Sequence, residues 1–263
     1  MVEIKKLLEN ELLQIVTETG FNKPLLVKDY YLTILLYLLK DVDGLVFKGG
    51  TALQKTILNY SRLSEDIDFT ITKDLALIKK EITQIIINSK QFIAITKDKE
   101  VDQFTRLVVS YNSKLGKGNV FIDLNQRAKV ILKPTKNKIK HFYPNIPDFN
   151  FSCLSKKELI AEKVSAAIGR NKPRDHYDIY QIIKNGFKID MKLVKEKCLL
   201  SDTDPSVPKM FNNANKLYNR WNQDMLPLLK EDISFKTVIQ TLAKYFNLSQ
   251  EKEKDKKLKN KSR

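Results

Sequence analysis

Cysteine and histidine are scarce in this chain of 263 residues, with two of each. Cys153 and Cys198 stand far apart with no CxxC spacing, which argues against a disulfide framework or a zinc site and makes a reducing cytoplasm the expected location. Neither His141 nor His176 has a serine or cysteine partner at a recognisable spacing, so His-activated nucleophile chemistry has no support. His141 is expected in a loop and His176 on a helix surface. The longest apolar run, Leu32 to Leu39, falls far short of the roughly 20 residues of a membrane span. Met1 to Glu11 alternates charges with leucines, so no secretory leader is expected. A P-loop is also lacking, because Lys55-Thr56 has no glycine before the lysine. No internal repeat is visible.

Positive charge is abundant. Lys and Arg number 47 against 31 acids, a formal net charge of +16. Residues 250–263 carry seven basic and three acidic side chains with almost no apolar ones, so a disordered basic tail is expected there. The rest of the chain is still strongly basic. A basic body attracts polyanions such as nucleic acid, although a lysine-rich proteome would give the same balance.

Hydrophobic periodicity divides the chain into a mixed and a helical part. Ile4, Leu7, Leu8, Leu12 and Ile15 recur at helical spacing up to Gly20, and a second helix opens at Pro24. Short strands are expected over Leu45–Phe47, Asp66–Ile71, Phe92–Thr96, Thr105–Tyr111 and Val120–Asn125, with helices over Thr51–Leu58 and Asp74–Asn88. From Ser155 the pattern is helical: Ser155–Gly169, Arg174–Lys184, Met191–Leu199, Lys209–Leu229 and Ser234–Asn247. The prolines of Pro144–Phe151 mark the boundary. An α/β domain with two leading helices (1–150), a helical domain (151–249) and the tail (250–263) are therefore expected.

The sharpest motif is Phe47-Lys48-Gly49-Gly50-Thr51-Ala52-Leu53, followed by Asp66-Ile67-Asp68-Phe69. A strand that ends in two glycines and enters a helix lets phosphate oxygens approach backbone N–H groups. The Thr51 hydroxyl would add a donor. Asp66 and Asp68 project from one face of the next strand while Ile67 and Phe69 pack on the other. Adjacent carboxylates repel unless a cation lies between them, and Mg2+ takes one or two carboxylates together with substrate phosphates. A turn followed by a strand with two solvated acids would look the same in either half alone.

Two later helices carry charge on faces that should pack. Lys163 has Leu159, Ile160, Ala166 and Ala167 around it, and Asp175 and Asp178 share a face with Ile179 and Ile182. These charges form either a buried ion pair or part of a cleft. Asp123, between Ile122 and Leu124, is a candidate third carboxylate or a strand-edge acid. The helix with Lys216, Tyr218, Arg220 and Trp221 reads as a packed helix with a basic outer face, or as a stacking surface for RNA.

The glycine turn with its Asp-x-Asp strand resembles the DNA polymerase β-like nucleotidyltransferase superfamily. Val27 to Thr33, Phe47 to Leu53, Ser64 to Phe69, Glu158 to Lys163 and Lys172 to Tyr180 together resemble the AbiEii/AbiGii-type toxin nucleotidyltransferases. The resemblance runs over roughly residues 24–185. It implies an α/β (α+β) fold, a polymerase β-like core with a mixed sheet and a helical C-terminal half. It implies NTP as substrate, Mg2+ or Mn2+ as cofactor, an RNA acceptor such as a tRNA 3′ end, and an antitoxin partner. Residue by residue, it implies catalytic Asp66, Asp68, Lys163 and Asp178, metal at Asp66, Asp68 and Asp123, and nucleotide contacts at Gly49, Gly50, Thr51, Ser64, Lys163, Arg174, Asp175 and Asp178. Transfer to a protein or small-molecule hydroxyl, and nucleic-acid binding without chemistry, are the alternatives.

Overall fold

The computed structural model describes residues 4–261, and these divide into two compact units, Met1–Lys156 and Lys157–Arg263. The division falls just after the proline-containing stretch 144–151.

In the first unit, α1 (Glu9–Thr19) and α2 (Lys23–Leu39) precede β1 (Leu45–Lys48). Gly20, at φ 72, stops α1 in the left-handed conformation that glycine adopts without penalty. Helical spacing from Ile4 suggests an earlier start, but Leu8 caps the helix and its N–H donates to Glu11 Oε2 at 2.7 Å. Next come α3 (Gly49–Leu53), which runs on into a π-helical turn (Gln54–Leu58), then β2 (Asp66–Ile71) and α4 (Leu75–Ser89). Asp74 caps α4 by accepting from the Leu77 N–H. The strands β3 (Ala94–Val101), β4 (Phe104–Ser113), β5 (Gly116–Asn125), β6 (Thr135–Lys138) and β7 (Asn150–Cys153) complete the unit.

All seven strands form one sheet in the order β3-β4-β5-β2-β1-β7-β6. It is mixed: β2 runs parallel to β5 and β1 parallel to β7, and the other pairs are antiparallel. The short β6 and β7 lie in a stretch without period-two alternation. Ile67, Phe69, Ile122 and Leu124 are fully buried. α2, apolar nearly all round, packs against β5, α1 and α4, as a helix without a polar face must.

One charged node lies inside this core. Lys55, on the π-helical turn, and Asp29, on α2, are almost completely buried and meet with Nζ 2.9 Å from Oδ1. Lys55 Nζ also donates to Thr33 Oγ1 at 2.9 Å and to the Tyr60 hydroxyl. The Tyr143 hydroxyl lies 3.0 Å from Asp29 Oδ2 and 2.9 Å from the Leu26 carbonyl. Burial pushes the Lys55 ammonium below its usual range and the Asp29 charge draws it part of the way back. Burial beside Asp29 raises the Tyr60 and Tyr143 phenols well above theirs. The node fixes α2 to the helix that follows the two glycines.

The second unit is helical: α5 (Lys156–Arg170), α6 (Pro173–Lys184), α7 (Met191–Leu199), α8 (Ala214–Met225), α9 (Phe235–Tyr245) and α10 (Leu248–Lys261). α6 packs with α8 and α9. The single helix expected over Lys209–Leu229 is instead three pieces, with 3-10 turns at Val207–Phe211 and Leu226–Leu228 flanking α8. Pro208 and Pro227 lie in those turns, and each removes a backbone donor. The disorder expected from residue 250 is corrected through Lys261 to helix, with Lys254 Nζ pairing one turn away with Glu251 at 2.8 Å. Residues 262 and 263 lie outside the described residues. Trp221 is core, its indole N–H donating to the Ile233 carbonyl at 2.9 Å, while Lys216, Tyr218 and Arg220 are exposed on the outer face. Both cysteines are free and buried, and burial pushes the Cys153 thiol up to about 12. Among the described residues no helix is long and apolar enough to cross a membrane.

Replacing one member of a buried ion pair strands the other, at a cost of about 3–5 kcal/mol, whereas apolar residues in place of both are often neutral. Lys55→Met is therefore expected to lower the unfolding free energy by about that amount in urea denaturation. The double variant Asp29→Leu/Lys55→Met is expected to lose less than Lys55→Met alone. The tyrosines keep the Lys140 and Leu26 carbonyls as acceptors. A double variant less stable than the single one would show that the pair is not the source of the loss.

Candidate active site

β1 and β2 are antiparallel, and Lys48 pairs with Asp68. This register brings the Asp68 carboxylate against the turn that leaves β1. Gly49 sits at φ +76, and a Cβ there would lie 2.1 Å from Asp68 Oδ2 and 2.7 Å from Cγ. Any side chain at 49 would therefore be strained by its backbone and collide with the carboxylate. Gly50 follows, half-exposed. Thr51 is buried and its hydroxyl donates to the Asp66 carbonyl. The hydroxyl expected to donate to phosphate is thus spent on fixing β2 to the turn. Gln54 holds the loop between them, its Oε1 accepting from Ser61 Oγ at 2.9 Å and from the Arg62 N–H at 3.3 Å. Ser64 is half-buried in the same connection.

Asp66 and Asp68 are half-buried while Ile67 and Phe69 between and beyond them are fully buried, so both carboxylates share the outer face of β2. Parallel pairing extends that face sideways: Asp66 lies beside Phe121 and Asp68 beside Asp123 on β5. Asp123 is therefore on a central strand, not an edge, and on the expected face. Its carboxylate is taken up by an arginine. Arg106, its antiparallel partner on β4, forks onto it with Nε 2.6 Å from Oδ1 and Nη2 2.7 Å from Oδ2. The hydrogen bonds it donates to Asp123 raise the Arg106 guanidinium above its ordinary value against the opposing effect of burial, and the charges of Asp123, Asp66 and Asp98 add to the rise. The Arg106 Cζ lies 5.5 Å from the centroid of the Phe121 ring and Lys28 Nζ 5.8 Å from it; Lys28 also pairs with Glu65 at 3.2 Å. Among the described residues no group of three or more His, Cys, Asp or Glu side chains gathers around a common point where a metal would fit.

The helical unit holds a second charged cluster. Lys163 Nζ stands 3.0 Å from Asp175 Oδ1 and 3.0 Å from Asp178 Oδ2, and all three residues are buried. Arg170 adds a fork onto Asp175, with Nε 2.8 Å from Oδ2 and Nη2 2.9 Å from Oδ1. Burial works to raise the Asp175 carboxyl, but Lys163 and Arg170 outweigh it and hold the group well below the carboxylate range. Arg174, a residue before Asp175, is half-buried. Glu158, in the first turn of α5, is buried and pairs with Lys197 at 2.6 Å. His176 is fully buried, not on the helix surface. Its Nδ1 lies 3.0 Å from the Lys172 carbonyl and its Nε2 2.8 Å from that of Met210. His141 is in a loop, with both ring nitrogens buried.

The sequence signals Asp66, Asp68, Asp123 and the lysine–aspartate pairing. Arg106 and Arg170 escape it. Arg106 was findable as the polar position of β4 that alternates with Leu107 and Val109, but its partner depends on strand register.

A mixed sheet whose glycine turn abuts an Asp-x-Asp strand is the arrangement of nucleotidyltransferases. The chain belongs to the family described as the nucleotidyl transferase AbiEii toxin of type IV toxin–antitoxin systems, whose sequence model matches residues 32–244. No curated protein matches the sequence. Among solved structures the chain is similar to JHP933 from Helicobacter pylori, with 16% identity and a TM-score of 0.61 over 92% of this chain and 100% of that one. It is also similar to MenT4, a nucleotidyltransferase toxin from Mycobacterium tuberculosis H37Rv, with 22% identity and a TM-score of 0.50 over 75% of this chain and 66% of that one.

Two predictions follow from this geometry. Gly186 has φ +70 and nothing within 4 Å of a Cβ, so Gly186→Ala is expected to cost only the backbone penalty of about 1 kcal/mol. Gly49→Ala adds the collision with Asp68 and is expected to cost more; equal losses of thermal stability would remove the close approach from the account. The second concerns pH. The folded Asp175 value is depressed, so its contribution is fully present above the ordinary carboxylate value and is lost as pH falls below it. Replacing Asp175 with Asn is expected to flatten the acid limb of the stability-versus-pH curve below about pH 4.

Proposed function

We propose that this protein transfers a nucleoside monophosphate from an NTP to an RNA acceptor, with the 3′ end of tRNA as first choice, and that Asp66 and Asp68 hold the divalent ion this needs. The observation that carries the reading is the pair of half-buried carboxylates on one face of β2, one of them seated directly on Gly49. Two hard oxygen donors on one strand face suit Mg2+ or Mn2+, which take one or two carboxylates together with substrate phosphates. When bound, such an ion polarises the α-phosphate and offsets charge on the leaving group.

The chain's own residues do the rest. The acceptor hydroxyl oxygen bonds to the α-phosphorus as the bond to the bridging oxygen breaks; pyrophosphate leaves, and the hydroxyl proton passes to solvent. The backbone at Gly49 and Gly50 lets the triphosphate approach without a Cβ in the way, and Ser64 lies on the same loop as the start of β2. Thr51 acts indirectly by fixing β2 to the turn. In the helical unit, Lys163, Asp178 and Arg174 are the nucleotide contacts that the family resemblance implies, and Asp175 keeps Lys163 in place. The family's place in type IV toxin–antitoxin systems supports an antitoxin partner. The charge of +16 favours an anionic acceptor over a small molecule.

The test is incubation of the purified protein with each labelled NTP, Mg2+ and total RNA. Label in tRNA is the expected result. Label in protein would redirect the acceptor, and RNA binding without any transfer would overturn the enzyme reading. Asp66→Ala and Asp68→Ala are each expected to reduce transfer on the order of a thousandfold, the equivalent of about 4 kcal/mol of transition-state stabilisation, with the circular dichroism spectrum unchanged.

A further inference from the structure

The outer face of the sheet carries three carboxylates in adjacent register, Asp66 and Asp68 on β2 and Asp123 on β5. Three acids so placed invite a two-ion site. Yet Asp123 meets a guanidinium instead, through both oxygens and at charge-assisted distances of 2.6 and 2.7 Å. The fork fixes the plane of Arg106, and the Phe121 ring lies 5.5 Å from its Cζ. The side chain is 36% exposed, so the guanidinium edge turned away from Asp123 can reach a ligand. Asp66, Asp68 and Asp123 do not converge on one point.

We propose that Arg106 takes the place of a second divalent ion: held by Asp123 and beside the Asp66/Asp68 face, it supplies the positive charge that faces the acceptor side of the reacting phosphate. This rests on the reading of Asp66 and Asp68 as ion ligands. The protein then works with one ion per active site, and Asp123 is a positioning residue for Arg106. An arginine suits this role because it is always charged and its fork presents N–H groups to carboxylate and phosphate alike.

The test is Mn2+ uptake by the whole protein, followed by electron paramagnetic resonance in the presence of a non-hydrolysable α,β-methylene NTP. Wild type is expected to take up one ion and Asp68→Ala none. Arg106→Gln frees the Asp123 carboxylate and is expected to take up two, with transfer reduced at least tenfold; Arg106→Lys, which keeps a cation beside Asp123, is expected to stay at one. Two ions in wild type would overturn the proposal while leaving the Asp66/Asp68 reading intact, and so would one ion in a folded Arg106→Gln variant. No ion in wild type would overturn both. Wild-type stoichiometry decides the matter even if a variant is unstable.

Discussion

The Asp68 carboxylate and the α-carbon of Gly49 are so close that no side-chain atom fits between them. Everything else at the sheet face is arranged around this approach. It requires β1 and β2 to pair in the register that sets Lys48 opposite Asp68, since a slip of one residue would turn Asp66 and Asp68 into the core and Ile67 and Phe69 out. It requires the positive φ at Gly49, which turns the chain from strand to helix within one residue. It also requires β2 to be held at that height, which the Thr51 hydroxyl does through the Asp66 carbonyl and Gln54 does through the loop before it. The Thr51 hydroxyl, which sequence reasoning gives to the substrate, is used instead to hold the strand that carries Asp66 and Asp68.

The turn would be a poor anchor if the helix after it could move. α3 is only five residues long before its hydrogen bonding widens into a π-helical turn, a local irregularity that recurs at functional sites. The buried Lys55–Asp29 pair compensates by tying this helix to α2, most of whose residues are buried. Such a pair contributes little net stability, because desolvating two charges costs nearly what their attraction returns. What it contributes is position. An apolar pair could slide by a rotamer, whereas Lys55 has to satisfy Asp29, Thr33 and Tyr60 at once.

Sequence alone makes the site more legible than the frame that carries it. Gly49, Asp66 and Asp68 are visible because their constraints are local: a glycine where φ must be positive, and two acids at the strand period. The strands β6 and β7 are not visible, because four residues each, flanked by prolines and loops, are too short to show alternation. Their existence is settled by pairing, β7 with β1 and β6 with β7. Asp123 is legible as a face and illegible as a partner, since Arg106 reaches it only through the β4–β5 register. His176 reads as surface because no serine or cysteine partner for its ring stands at a recognisable spacing in sequence, and it is buried because the Met210 carbonyl, far along the chain, meets Nε2. The charged helix from Leu248 reads as disorder because its apolar content is low, while lysine and glutamate at spacings of three support helix.

In the helical unit the two readings of Lys163, ion pair and ligand contact, are not exclusive, but they make different demands. Its ammonium is shared by Asp175 and Asp178, and Arg170 brings a second positive charge, so the four side chains balance. A balanced cluster exerts little long-range pull on a triphosphate, and Lys163 would act on one only at contact distance. Removing Lys163 leaves two carboxylates buried with one arginine, so an inactive Lys163→Ala protein would report lost stability as readily as a lost contact. Asp178 separates the two: it is paired by Lys163, and the Arg170 fork lies on Asp175, so Asp178→Asn keeps the shape, leaves Lys163 bound to Asp175 and changes the charge at that corner. Loss of transfer in a variant that melts with wild type would place Asp178 in the chemistry, whereas normal transfer would leave it a structural counter-ion.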